Sequence, residues 1–334
     1  VENYGLKKEN KNLQNKLFHS YDLIGKSPSI MKLKEQIKKL SLTESRIFIF
    51  GPAGSGKELV ARKIHKNSNR AKKSLIILNG ALLDPEKYEL ELFGSENNDG
   101  TILYGALEKA SNGILLIDEV SEIPLETQAK ILRVLTDQKF KRLNGNHDIN
   151  VNVRIICTSS KDISKEIEDG NFREDLYHRL NVVPINLEPL KNRTEDIPLL
   201  IDYFSKTISY SYGVPKFEID TNNLYLFEYD WPGNVRELRN LVERIAILSP
   251  NEKNENINMI INESLKKVSI NKTDISEKNF SFPLKEAREN FEKSYLTLQL
   301  KKFKGNISKT ADFVGMERSA LHRKLKTLGI KGIN

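Results

Sequence analysis

Seven residues, Gly51-Pro52-Ala53-Gly54-Ser55-Gly56-Lys57, follow the pattern G-x-x-x-x-G-K. Glycines at this spacing let backbone N–H groups turn inward onto phosphate oxygens, and the lysine reaches the outer phosphates. A short apolar run, Ile47-Phe48-Ile49-Phe50, precedes the loop. A helix is expected from near Glu58, and its N-terminus adds positive potential at the phosphates. Glu58 stands where most such loops carry Ser or Thr. The usual hydroxyl ligand for Mg2+ is therefore missing, and the metal has to be held by another carboxylate or by water. Asp118 and Glu119 end a second apolar run, Ile114-Leu115-Leu116-Ile117. Asp118 can orient hydrated Mg2+, and Glu119 can position and polarise an attacking water.

A different chemistry sits near the other end. At about 100° per residue, Leu321, Leu325 and Leu328 fall on one arc of a helix. Arg318, Ser319, His322, Arg323 and Lys326 fall on another. Before them, Asn306-Ile307-Ser308-Lys309-Thr310-Ala311-Asp312-Phe313-Val314-Gly315 reads as a short helix ending in a tight glycine turn. Helix, turn and basic second helix make a helix-turn-helix, whose second helix enters the major groove. Arg318 and Arg323 can read guanine edges or grip phosphates. His322 either donates a hydrogen bond to a DNA phosphate or is a surface residue.

Charge agrees. The net charge is +8, and residues 281–334 hold 12 Lys/Arg against 5 Asp/Glu, which leaves the rest nearly neutral. A basic block at one end is the footprint of nucleic-acid binding. Cys157 is the single cysteine, which excludes a disulfide framework and multi-cysteine zinc sites. A reducing, cytoplasmic setting is expected. No apolar run approaches the roughly 18 residues of a membrane span, so no membrane partner is expected. No charged-then-apolar leader is found, which argues against secretion. The chain opens on Val1 rather than Met and reads as a piece of a longer protein.

The elements that must position these residues are short continuous apolar runs alternating with helical stretches. Besides the two runs above they are Leu75-Ile76-Ile77-Leu78 and Val153-Arg154-Ile155-Ile156. Runs of this kind are strands buried on both faces of a parallel sheet with helical crossovers. Leu125, Ala129, Leu132 and Leu135 stripe a helix after Pro124, and Asn144-Gly145 signals a hairpin. Strands stop after about Glu188. Asp230-Trp231-Pro232-Gly233 is a turn, and Asn234 opens a helix with Glu237 at the capping-box position. Leu6, Leu13 and Leu17 suggest a short helical linker at 1–20. Residues 251–281, rich in Asn, Lys, Glu and Ser, read as a flexible linker.

Several segments together carry a family resemblance. They are Leu23-Ile24-Gly25-Lys26-Ser27, the loop from Gly51 to Glu58, Glu91-Leu92-Phe93-Gly94, Gly105-Ala106-Leu107-Glu108-Lys109-Ala110, Asp118-Glu119, Phe172-Arg173-Glu174-Asp175-Leu176-Tyr177, and Trp231-Pro232-Gly233-Asn234-Val235-Arg236-Glu237-Leu238. Over about 21–250 and 282–334 the chain resembles bacterial sigma-54-type enhancer-binding response regulators. It looks most like their nitrogen-regulation NtrX branch.

The resemblance implies an α/β AAA+ P-loop parallel sheet at 21–188 and a helical lid at 189–250. An all-α Fis-type helix-turn-helix DNA-binding domain follows at 282–334. It implies ATP and Mg2+ as cofactors. Nucleotide contacts would come from Ile24, Gly25, Gly51, Pro52, Ala53, Gly54, Ser55, Gly56, Lys57, Glu58, Leu59 and the lid arginine Arg236. Arg173 and Arg179 match arginines that reach a neighbouring subunit's nucleotide, and Asn79 matches the asparagine that holds the catalytic glutamate in an off position. Ser159 and Ser160 stand where the family has Thr-Asn. Phe291, Tyr295 and Leu298 are expected in dimer or core packing. Implied partners are promoter DNA, RNA polymerase, further copies of the chain, and a sensor histidine kinase acting on a receiver domain upstream of Val1.

One departure matters. The family's Gly-Ala-Phe-Thr-Gly-Ala loop, which engages sigma-54, is absent, because only Ser95 to Tyr104 separate Gly94 from Gly105. The expectation is a two-component transcription regulator that binds ATP and DNA without activating sigma-54. The alternatives are an ATP-driven remodeller, a nucleotide-sensing scaffold, or a sigma-54-dependent activator. Whether ATP is hydrolysed or only bound is left open.

Overall fold

The computed structural model describes residues 22–97, 100–214, 223–248, 254–270 and 306–329, together with 217, 219–221, 288, 292, 293, 295–297, 299, 300 and 303. The linker expected at 1–20, and Phe291 and Leu298, lie outside the described residues. The chain forms two compact units, 1–263 and 264–334.

The first unit is built on a sheet of five strands, β1 (Ile47–Phe50), β2 (Leu75–Asn79), β5 (Ile114–Asp118), β8 (Arg154–Ser159) and β9 (Val183–Asn186). Their order across the sheet is β2-β5-β8-β1-β9. Every pairing is parallel. The apolar runs are strands because both of their faces are covered. Phe48, Leu115, Ile117, Ile155 and Cys157 pack on one face, and Ile47, Ile49, Ile114, Leu116 and Ile156 on the other. Helices α1 (Pro28–Ser41) and α2 (Lys57–Lys66) cover the second face through Ile30, Leu33, Ile37, Val60 and Ile64. On the first face lie α3 (Tyr88–Phe93), α4 (Ala106–Lys109), α5 (Leu125–Asp137), α6 (Ile163–Glu168) and α7 (Glu174–Leu180).

Two hairpins project from this body. β3 (Gly94–Glu96) pairs antiparallel with β4 (Ile102–Tyr104). Gly94 has φ +73°, and a Cβ there would overlap the Leu103 carbonyl oxygen, so the base of the hairpin is pinched shut. The Asn144-Gly145 turn lies between β6 (Lys139–Phe140) and β7 (Ile149–Asn150), as its sequence predicts.

The helical part comprises α8 (Ile197–Tyr212), α9 (Tyr225–Glu228), α10 (Asn234–Leu248) and α11 (Asn254–Ile270). α8 and α10 pack on each other, with Leu200, Ile201, Ile208, Leu238, Leu241 and Ile245 buried. Two corrections follow. Residues 254–270 are helix rather than flexible linker, because Ile257, Ile261 and Leu265, four apart, bury one stripe despite the polar composition around them. Glu237 does not complete a capping box on Asn234. Its carboxylate accepts the Gly233 N–H at 2.8 Å and the Tyr229 hydroxyl at 2.9 Å, since Asn234 sits in the left-handed region with φ +51° and is used elsewhere.

In the second unit, α12 (Ile307–Val314) and α13 (Arg318–Thr327) pack through Ala311, Leu321 and Leu325 onto Leu296 and Leu300. Asn306 caps α12 by accepting the Lys309 N–H at 3.1 Å, and Gly315 turns the chain at φ +71°. Among the described residues, no helix is long and apolar enough to cross a membrane.

Candidate functional site

The loop after β1 and the acids at the end of β5 come together at the carboxyl edge of the sheet because the two strands run parallel on either side of β8. Register does the rest. Asn79 is the partner of Asp118 across β2 and β5, and Ile117 is the partner of Cys157 across β5 and β8, so Asp118 comes beside Thr158.

Lys57 is 5% exposed. Its Nζ donates to the Gly51 carbonyl at 2.9 Å and pairs with Glu119 Oε1 at 3.0 Å. Gly54 has φ +74°, and a Cβ there would overlap the Gly233 carbonyl oxygen. Glu58 is exposed and pairs with Arg62 at 2.7 Å. Pro52 and Ala53 form the outer turn, Ser55 is buried, and Leu59 is half-buried in α2.

Asp118 accepts the Thr158 hydroxyl at 2.6 Å and the Asn79 amide at 3.2 Å. Burial raises its carboxyl above the ordinary range; the Thr158 bond opposes this, while the charges of Glu119 and Glu58 add to it. Glu119 adopts φ +53°, which is strained for a side-chain-bearing residue. Its N–H donates to Thr158 Oγ1 at 3.0 Å, and its Oε2 accepts both the N–H and the hydroxyl of Ser160, at 2.7 and 2.8 Å. Burial alone would raise Glu119, but the bonds from Ser160 and Lys57 outweigh it and hold the carboxyl below the usual range.

Asn79, matched by resemblance to an asparagine that holds the catalytic glutamate, lies beside the acid pair. It bonds Asp118, and the side chains on Glu119 are Ser160 and Lys57. The register across β2 and β5 puts Asn79 opposite Asp118, while the chain turns sharply at Glu119 toward β8.

Ile24 and Gly25 lie in a segment organised by Asp196, which is fully buried. Its carboxylate accepts the N–H groups of Lys26 and Ser27 at 2.6 and 2.8 Å and the Ser27 hydroxyl at 2.6 Å. Arg236 is exposed, and its backbone N–H donates to the Gly54 carbonyl at 3.3 Å. Arg173 and Arg179 are both exposed. Arg173 grips Asp175 through two bonds of 3.0 and 2.7 Å, and the Arg179 carbonyl accepts Arg46 at 2.8 Å. Arg193, Asp196 and Thr158 carried no local signal. Their partners lie 138, 169–170 and 39–40 residues away in the chain.

On α13, Arg318, Ser319, His322, Arg323 and Lys326 are all exposed while Leu321 and Leu325 are buried. The two arcs read from sequence are therefore the two faces of the helix. Lys324 is drawn aside to Glu292 at 2.9 Å.

A parallel sheet with β1 flanked by β8 and β9, a glycine loop leading from β1 into α2, acids closing β5 and helices following the last strand are the build of an AAA+ P-loop protein. Comparison with known proteins narrows the class. The family model for the sigma-54 interaction domain matches residues 23–186, that for the AAA+ ATPase lid domain 191–276, and that for the bacterial regulatory protein, Fis family, 287–328. The nitrogen assimilation regulatory protein NtrX of Azorhizobium caulinodans is 43% identical over 99% of this chain and 74% of its own length. A putative response regulator NtrX-like of Rickettsia felis is 45% identical over 97% of this chain and 70% of its own length. The crystal structure of NtrX from Brucella abortus in complex with ATP superposes with a TM-score of 0.73, at 44% identity, over 99% of this chain and 74% of that one. The chain belongs to the NtrX family of bacterial response regulators, with a sigma-54 interaction domain, an AAA+ lid and a Fis-type helix-turn-helix.

Proposed function

We propose that this chain is a transcription regulator of a two-component system that binds ATP at residues 51–58 and duplex DNA through the exposed face of α13. The observation that carries the reading is the meeting of Lys57, the glycine loop and the pair Asp118 and Glu119 at one sheet edge, 3.0 Å from lysine nitrogen to Glu119 oxygen. The ATP-bound relative from Brucella abortus supports it.

The donor set suits a hard cation held mainly through water and phosphate. Among the described residues no three His, Cys, Asp or Glu side chains group into a metal cage, and Asp118 is an oxygen donor whose charge burial disfavours. Mg2+ beside Asp118 would relieve that penalty and neutralise phosphate charge. Lys57 binds the outer phosphates, giving up its contact with Glu119. In hydrolysis, Glu119 would accept the proton of a water whose oxygen bonds to the γ-phosphorus as the bond to the bridging oxygen breaks and ADP leaves, and Thr158 keeps the two acids in register. Arg173 and Arg179, exposed on or beside α7, serve a neighbouring copy's nucleotide. Promoter DNA is gripped by Arg318, Ser319, His322, Arg323 and Lys326.

The hairpin Gly94–Tyr104 has only residues 97–101 between its strands. We infer that the chain does not remodel sigma-54 polymerase and acts as a repressor or on the housekeeping enzyme. It works in the cytoplasm as a homo-oligomer, under a sensor kinase that reaches it through a receiver domain. Equilibrium binding of labelled ATP in magnesium buffer tests the first half: wild type binds and Lys57→Ala does not. Uptake by neither sinks it. ATP-dependent open complexes on a sigma-54 promoter would overturn the polymerase assignment.

A further inference from the structure

Three consecutive carbonyls of the phosphate loop are each taken by a donor from the segment that begins the lid or from its helix α10. Ala53 O accepts Asn234 Nδ2 at 3.0 Å, Gly54 O accepts the Arg236 N–H at 3.3 Å, and Ser55 O accepts Arg193 Nη2 at 3.2 Å. In a trans peptide the C=O and the following N–H point in opposite directions. A donor that fixes the carbonyl of residue 53, 54 or 55 from the lid side therefore fixes the N–H of residue 54, 55 or 56 toward the other side. Ser55's N–H turns onto the Pro52 carbonyl at 3.2 Å, inside the loop. Those of Gly54 and Gly56 are left directed away from the lid donors, where an anion would be received.

Asn234 is shaped for this task. It is 2% exposed and held at φ +51°. Its Oδ1 accepts the Leu190 N–H at 2.8 Å, which orients the amide so that Nδ2 faces Ala53. Arg193 is 4% exposed, so its guanidinium is also committed to the interior. Neither side chain is among the residues assigned above to touch nucleotide.

We propose that Asn234 and Arg193 are positioning residues that hold the phosphate-binding amides in their receptive orientation from behind, so that the lid itself sets the affinity for the phosphate chain. This rests on the proposed ATP site. Bound phosphate and lid then stabilise one another: whatever draws the lid from the loop lets the peptide planes rotate and loosens the nucleotide, and the coupling is reciprocal.

Asn234→Gly is the informative variant, because glycine keeps the left-handed backbone without strain while removing the donor to Ala53 together with the acceptor of the Leu190 N–H. Titrations of the full chain with ATP, ADP and adenosine, on wild type and on the variant, separate positioning from general destabilisation. The expectation is that the dissociation constants for ATP and ADP rise about tenfold, the worth of one or two oriented hydrogen bonds, while that for adenosine changes less than about twofold. If wild type binds ATP and the variant binds all three ligands as wild type does, or weakens for all three by one factor, the inference is overturned and the ATP site stands. If wild type takes up no ATP, both fall. Should Asn234→Gly fail to fold, Arg193→Gln decides by the same three titrations.

Discussion

Ser160 holds Glu119 by two donors at once, its backbone N–H and its hydroxyl, 2.7 and 2.8 Å from the same carboxylate oxygen. With Lys57 these bonds overcome burial and keep Glu119 below the ordinary carboxylate range in the folded protein. The stability they contribute is present above the unfolded-state pKa and is lost as pH falls through the folded one. Ser160→Ala removes the hydroxyl bond and shifts Glu119 upward. The acid limb of any ATP turnover should move to higher pH, and the variant should be less stable than wild type near neutral pH, with the gap closing as pH falls through the wild-type carboxyl's folded-state pKa. Denaturation midpoints across about pH 3 to pH 6 test this, and superimposable pH profiles would count against the bond.

Gly54 is pressed against the Gly233 carbonyl at φ +74°. Gly54→Ala therefore meets both a steric overlap and a strained backbone, the latter costing about 1–3 kcal/mol. The loop should withdraw from the lid. ATP binding should weaken by at least about tenfold, with a lower thermal midpoint. Wild-type affinity in this variant would mean that the close approach is dispensable.

The exposed face of α13 makes a graded prediction. Arg318→Ala and Arg323→Ala should each weaken operator binding, by about 1–3 kcal/mol with relaxed specificity for a base contact, or uniformly with a salt slope lower by about one for a phosphate contact. Lys326→Ala should lower the slope in the second way. Lys324→Ala should matter less, because that lysine is paired with Glu292. Fluorescence anisotropy at several salt concentrations distinguishes these outcomes.

Cys157 lies fully buried in β8, and burial pushes its thiol far above its ordinary value, so it stays protonated. A thiol reagent at neutral pH should label it only as fast as the sheet opens, and nucleotide that stabilises the fold should slow labelling further. Rapid labelling of native protein would contradict this burial.

Much of this molecule is written locally. Ile47 to Phe50 and Ile114 to Ile117 declare buried strands because no polar residue interrupts them. The glycine spacing from Gly51 to Lys57 announces its own use, and the two arcs of α13 need only the helical repeat. Even the misread stretch at 254–270 held its signal in Ile257, Ile261 and Leu265, submerged in a polar composition. What only the folded chain decides is who holds these groups. Asn234 reaches Ala53 across 181 residues, Arg193 reaches Ser55 across 138, and Ser160 rather than Asn79 takes Glu119. These partners are set by strand register and by the seating of the lid on the loop. A side chain's type fixes which bonds it can make, and its neighbours in space, which local sequence does not encode, choose among them.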